Sequence, residues 1–293
     1  MRKKSTSDVI VNLVAYAGIL LVNIVMLYPF VYTVSVSLSR AEFVVAGMVK
    51  LWPVGLNASA YQTALAEPLL GRGYLNTLLY ASVGTALTLF ITLITAYPLS
   101  VKKFRGRSAF IIYMAVTMYF SGGLIPYFLL IQNLKLIDTI WAMILPCISV
   151  WYIIVCRTYF QANMPPEMRE SALIDGANDL TILFRIYLPL SLPIIATIGL
   201  WSVVSYWNSW FNALLFLKDQ DLYPLQMVVR KTLILFNPSS KMRSVLAMLR
   251  PNGVSEQTVR CAIIVITILP IIMIYPFIQK YFVKGVMVGA LKG

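Results

Sequence analysis

The sequence predicts an all-α, polytopic membrane protein with six transmembrane helices, and three observations predict it. Mean hydropathy is +0.79 and charged residues make up 12% of the chain, against about a quarter in ordinary soluble proteins. The apolar residues are gathered into runs rather than spread at surface-helix spacing, as in spanning helices. Six of these runs are long enough to cross a hydrocarbon core of about 30 Å.

The first run, Ile10–Val34, is too long for a signal peptide, carries Tyr28, Pro29 and Tyr32, and lacks a small-residue cleavage site. It is expected to stay as a span. The second, Asn76–Tyr97, holds Ser82, Thr85, Thr88 and Thr92, which suit interhelical packing contacts. In the third, Ala109–Ile131, the residues Gly122, Gly123 and Pro126 predict a kink. The fourth is Thr139–Phe160, the fifth Leu192–Leu217 and the sixth Cys261–Phe282. Cys147, Cys156 and Cys261 fall in or at the edge of these runs and read as reduced packing residues. No repeat or linker divides the chain, so 1–293 reads as one membrane domain.

Short loops orient it. The connection Ser100–Ser108, SVKKFRGRS, carries four basic residues, whereas Gln132–Asp138 carries only Lys135. With Arg2, Lys3 and Lys4 at the head, both termini are expected on the cytoplasmic side. That leaves Lys218–Arg260, with seven Lys/Arg against three Asp/Glu, as an outer segment.

What is missing narrows the function. The six spans hold no carboxylate, and their two bases, Arg157 and Lys280, fall within four residues of a span end. Proton-coupled carriers need ionisable groups at membrane depth. No GxxxxGK[ST] loop exists to bind a nucleotide. The chain has no histidine and no Cys-x-x-Cys pair, so a metal site is not expected. Nor does it hold a His, Cys and carboxylate cluster for catalysis. Work done by this chain must draw its energy from a partner.

Residues 163–189, between spans four and five, break the apolar pattern. Asn163-Met164-Pro165-Pro166-Glu167 reads as a helix start, with Asn163 or a neighbour as cap and Glu167 and Glu170 at the positive end. Gly176 fits a C-terminal cap, where positive φ is needed. Asn178 or Asp179 can cap a second helix over Leu180–Tyr187, which Pro189 should limit. Ser171 and Ala172 are small enough for a close approach by another surface. On the residues alone the segment fits two roles: a loop packed on its own bundle, or a docking piece.

The pattern Glu-x-Ala-x3-Gly-x9-Ile-x-Leu-Pro, met by Glu170, Ala172, Gly176, Ile186, Leu188 and Pro189, resembles the EAA signature of permease subunits in ATP-binding-cassette importers. Ser171 stands where that family more often has alanine. The wording MPPEMRESALIDGA is similar to the carbohydrate-uptake branch, to which the maltose importer's smaller permease belongs. The stretches Ser121–Thr139 and Tyr275–Gly293 resemble the sub-branch for larger glycans such as alginate and rhamnogalacturonan.

The resemblance covers essentially the whole chain. It implies a type I permease fold in a bacterial cytoplasmic (inner) membrane, paired with a second permease in a heterodimer. It further implies two ATPase subunits that carry ATP and Mg, an extracytoplasmic solute-binding protein and an oligosaccharide substrate. No cofactor is expected on this chain itself. The coupling residues it implies are Glu170, Ser171, Ala172, Asp175, Gly176, Ile186, Leu188 and Pro189.

In the fifth run Trp201, Ser205, Asn208 and Asn212 follow steps of four, three and four, which places them on one helical face. Rings stack on sugars while amides and hydroxyls bond to sugar hydroxyls, so this stripe suits a glycan path; it also suits helix–helix contacts. The basic outer residues Arg230, Lys231, Lys241, Arg243, Arg250 and Arg260 fit either attraction of an anionic glycan or docking of the binding protein. Two other classes compete: a permease of the same fold for a non-sugar solute, and a stand-alone carrier or channel.

Overall fold

The computed structural model describes residues 6–235 and 254–290, with 6–9, 235 and 274–290 described as backbone. Among the described residues the elements are helical, and the one β-feature is an isolated bridge between Ser39 and Leu56. Two compact units divide the chain. One comprises Met1–Pro68 with Lys231–Pro270, and the other Leu69–Arg230 with Ile271–Gly293.

Three of the six apolar runs are single helices long enough to cross a membrane: Ile10–Ser37, Pro68–Ser100 and Glu256–Met273, the last continuing as helix to Ala290. The other three fall in bent pairs, the last of which also takes in residues 179–190 ahead of the fifth run. Arg107–Tyr119 meets Leu124–Asn133 at 116°, Trp141–Cys147 meets Val150–Asn163 at 43°, and Asp179–Leu190 meets Leu192–Trp207 at 83°. Counting each pair as one span restores six.

The breaks have local causes. Gly123 takes φ +86°, a conformation that glycine adopts freely, and Phe120 is extended. The kink predicted at Gly122–Pro126 is therefore a 116° reversal of direction rather than a bend within one rod. At the second break Pro146 lies in a short 3₁₀ turn, and Ser149 Oγ accepts from Trp151 N–H to start a new helix. At the third, Ser191 lies between Pro189 and Pro193, which cannot donate to a continuous ladder. The fifth helix also ends at Trp207, ten residues short of the expected Leu217. A non-helical step over 208–210 leads into Phe211–Phe216.

In the first unit the spanning window of the first helix buries none of its residues within the chain. Its large apolar residues from Ile10 to Phe30 are exposed, a surface that lipid tails or another helix can cover equally well. Past that window the chain folds back on the helix end. Ser35 Oγ donates to Leu51 O at 2.6 Å, and Ser39 Oγ accepts from Val54 N–H at 2.9 Å. Val36, Val44 and Val49 form a small core there with Tyr32, Phe43 and Cys261.

The second unit is built on the Pro68–Ser100 helix. Gly84 leaves room for the Tyr206 ring, since a Cβ at Gly84 would stand 2.3 Å from Tyr206 Cζ. Tyr206 Oη donates to Ile144 O at 2.8 Å, so this one side chain joins the second, fourth and fifth spans. Thr85 Oγ1 donates to Ser202 Oγ at 3.2 Å, and Thr88 Oγ1 lies 3.4 Å from Tyr206 Oη, as packing contacts should. Ser82 instead bonds its own helix at Leu79 O. Thr92 is buried with no hydrogen-bond partner among the described residues.

Candidate functional site

The segment after the fourth span folds as two helices around a glycine turn. Asn163 does not cap the first. It is the last residue of the preceding helix, and its amide donates to Tyr159 O at 3.0 Å. The cap position is Pro165, at φ −59° and ψ 139°, because a residue before proline is driven into extended backbone. Pro166 then opens the helix Pro166–Ile174, with Glu167 in its first turn.

The helix ends as the sequence predicts. Gly176 adopts φ +82°, its N–H donates to Leu173 O at 3.1 Å, and Ala177 N–H reaches Ala172 O at 2.9 Å. This pair of bonds is a Schellman motif, satisfying carbonyls that a helix end leaves free. A Cβ at Gly176 would meet nothing within 4 Å, so the glycine serves backbone conformation rather than space. Of the two candidate caps it is Asn178 that acts, accepting from Thr181 N–H at 2.8 Å.

The second piece runs past Tyr187 but ends at Leu190, one residue beyond the limiting Pro189. The backbone runs through Asp179–Ile182, a π-turn over Leu183–Tyr187 and a last turn to Leu190. Leu188 N–H reaches back to Leu183 O, and this wider turn makes room for the proline ring.

Asp179 is freed for another task. Tyr97 Oη, at the end of the second span, donates to Asp179 Oδ1 at 2.7 Å. Arg169 Nη2 donates to the same oxygen at 2.8 Å, and Arg169 Nε to Tyr97 Oη at 3.3 Å. The two pieces of the segment are thus bolted to each other and to the bundle. The hydrogen bonds from Tyr97 and Arg169 hold the Asp179 carboxyl below its ordinary range. Tyr187 extends the joint, edge-on to Tyr97 with ring centroids 5.0 Å apart and edge-on to Phe160 at 5.3 Å.

The signature residues divide by face. Ala172 is buried in a core with Ile182, Leu183 and Tyr187, and Ile186 and Leu188 pack half-buried against it. Ala172 is therefore small to fit its own bundle. Ser171, Leu173, Ile174, Asp175, Gly176 and Pro189 are exposed, Ile174 at 87%. Glu170 Oε1 pairs with Lys103 Nζ at 3.2 Å, both exposed, a contact worth little in water. Beside the pair lies a cavity of about 230 Å³ lined by Lys103, Gln161, Met164, Arg169, Glu170 and Tyr187. Arg107 and Arg157 both donate through Nε to Leu99 O, at 2.9 and 3.1 Å, satisfying the end of the second-span helix.

At the far end of the fifth span the expected stripe is only partly continuous. Trp201 and Ser205 lie on Leu192–Trp207, and Asn208 is its first residue beyond the end, with its amide donating to Val204 O at 3.0 Å. Asn212 sits on the next helix and points its amide toward Cys147 Sγ at 3.8 Å, so the four residues do not share one helical face. The neighbouring face, Ile198, Ser202 and Tyr206, is buried. Ser205 and Asn208 are exposed, and Trp201 stacks on Tyr152 with centroids 6.3 Å apart. Sequence reading missed one contact here: Arg230 Cζ lies 3.8 Å from the centroid of the Trp210 ring. Nothing in the linear sequence links these residues. Of the other basic residues proposed for the outer segment, Lys241, Arg243 and Arg250 lie outside the described residues.

Comparison with known proteins gives three concordant results. The sequence profile of the family described as "Binding-protein-dependent transport system inner membrane component" matches residues 73–288. The chain is 37% identical over 284 residues to the polygalacturonan/rhamnogalacturonan transport system permease protein YtcP of Bacillus subtilis, covering 96% of this chain and 98% of that one. It is 28% identical to the arabinooligosaccharides transport system permease protein AraQ of the same organism, over 76% of this chain and 74% of that one. Among solved structures it matches, with TM-score 0.90 and 36% identity over 96% of this chain and all of the other, a bacterial ABC transporter involved in the import of the acidic polysaccharide alginate.

Proposed function

The chain belongs to the family of binding-protein-dependent transport system inner membrane components, and from that premise we propose that it is the permease subunit of an ATP-driven oligosaccharide importer. Its 293 residues act as one permease domain in the bacterial cytoplasmic membrane, with both termini inside. It pairs with a second permease, and two ATPase subunits bind ATP and Mg. A solute-binding protein delivers the sugar.

The observation that carries the coupling role is the division of segment 163–189 into a bolted inner face and an exposed outer one. Arg169, Asp179 and Tyr97 tie the segment to the second span. Ser171, Ile174, Asp175 and Gly176 are left on the outside with no task in the chain's own core. A segment that transmits motion needs both properties: a surface for the moving partner and a stiff link behind it. Closure of the ATPase pair on ATP pushes this outer face. The push passes through Ala172, Ile186 and Leu188 into the bundle and switches it from inward- to outward-facing. To move a two-state bundle decisively the push must supply about 5 kcal/mol, which a loose loop cannot transmit.

The glycan is read as acidic, because the relatives named for polygalacturonan and for alginate match over nearly their full lengths. The end of the fifth span with half-buried Trp201 and exposed Ser205 and Asn208 is its path. Reconstituted importer tests the coupling assignment. Gly176→Leu or Glu170→Lys should insert and assemble yet lose ATP-driven uptake, and normal uptake with both would end this reading of the segment. Activity of the purified chain without an ATPase partner would point instead to a stand-alone carrier.

A further inference from the structure

We propose that Arg230, seated on the ring of Trp210, is a carboxylate-binding subsite for the uronate residues of the carried glycan. The proposal rests on the acidic-oligosaccharide reading above and adds a residue-level site to it.

Position is the first argument. Trp210 follows two residues after Asn208, in the non-helical step that closes the fifth span at the end opposite the coupling segment. It therefore lies next along the chain to the exposed polar Asn208.

Rigidity is the second. Arg230 projects from the helix Leu225–Leu235, in which Leu225, Met227, Val228 and Val229 are buried. Leu225 N–H donates to Thr77 Oγ1 at 2.8 Å. Gly73 lies so close that a Cβ there would stand 3.2 Å from Leu225 Cα. The backbone beneath Arg230 is pinned while its side chain is exposed.

The third is the partner of the guanidinium. Four other arginines of the same unit are spent on the chain's own acceptors. Arg72 pairs with Asp221 at 3.2 Å, Arg169 with Asp179, and Arg107 and Arg157 with Leu99 O. Arg230 instead lies 3.8 Å over an indole, itself braced edge-on by Phe211 at 5.5 Å. A cation resting on a ring face does not spend its N–H groups, and among the described residues no acceptor takes those of Arg230, which leaves the fork that matches a carboxylate available. A preorganised, exposed fork beside a polar stripe fits a sugar acid better than a neutral sugar.

The test uses the importer purified with its permease and ATPase partners, and titrates a galacturonate oligomer against its methyl ester, which keeps the sugar and removes the charge. Wild type should prefer the acid by about tenfold, the strength of one charge-assisted hydrogen-bonded pair. Arg230→Gln should erase the preference, and Arg230→Lys should keep only part of it, having charge without the fork. A preference that survives Arg230→Gln, or is absent in wild type, overturns the subsite. If Arg230→Gln weakens only stimulation by the binding protein and leaves the preference intact, the residue docks that protein and the subsite is overturned too. Uptake of the galacturonate oligomer by the intact importer is measured alongside. Its absence ends the acidic-substrate reading and the subsite together, whereas normal uptake with no Arg230 dependence ends the subsite alone.

Discussion

The two ends of the fifth span are built on opposite plans. Before Ser191 the chain is tied down by a Schellman turn, an Asn178 cap, a π-turn and the Arg169–Asp179–Tyr97 joint. At the other end Ser205 and Asn208 are exposed, Asn208 bonding its own helix at Val204 O, and Arg230 rests on a ring instead of a carboxylate. The coupling role proposed for the first end calls for stiffness, which hydrogen bonds made internally supply. An end that handles a changing ligand must keep donors and acceptors available. The difference teaches that polarity in a membrane protein is informative through its partners more than through its presence.

The largest effect that would break this contrast is at Gly176. Leucine there must hold positive φ, costing about 1–2 kcal/mol, and adds bulk to the outer face. ATP-driven uptake in proteoliposomes should fall at least about tenfold, and near-normal uptake would mean the turn tolerates slack. Next comes the pillar between the ends. Gly84→Val drives side-chain atoms into Tyr206, where a Cβ alone stands 2.3 Å from Cζ. Overpacking of this kind costs about 1–3 kcal/mol, so the unfolding temperature of the purified complex should drop.

Arg169→Ala sharpens the comparison further. It leaves Asp179 with Tyr97 as its one remaining side-chain donor and should raise hydrogen exchange over 166–182 while leaving 201–216 unchanged. Equal change in both stretches would show that the joint is not local.

The smallest effect is a pH dependence. Asp179 has a folded-state pKa below its unfolded value, so its contribution is present above the ordinary carboxylate range, near pH 4. It is lost as pH falls through the depressed value. Tyr97→Phe removes the larger of the two hydrogen-bond causes. Acid-induced loss of protection over 166–182 should then set in at a higher pH than in wild type.

How much could be read from residues alone differs between the same two ends. The segment 163–189 was legible because its instructions are local. Gly176, Asn178 and Pro166 each act within about one helical turn, and the helix ends that they mark are present. Its misreading, the cap at Asn163, came where a neighbour changed the geometry: an extended Pro165 holds the cap position. At the far end the reading assumed one unbroken helix to Leu217. The break after Trp207 removed Asn212 from the stripe and set Trp210 under Arg230, twenty positions away in sequence.

The sequence by itself determined the solvent and the count. Six apolar runs commit the chain to a membrane because burying them in lipid outweighs anything else the composition offers. It also determined where the coupling segment starts and turns, since proline and glycine restrict or free the backbone at their own positions. Only the tertiary structure decided which side of each helix faces inward. Ala172 turned toward its own core and Ile174 away from it, and Gly84 became a socket for Tyr206. A membrane removes the usual sequence clue to facing, because lipid and protein interior are equally apolar. Facing in this chain is set by shape and by hydrogen bonds between distant residues.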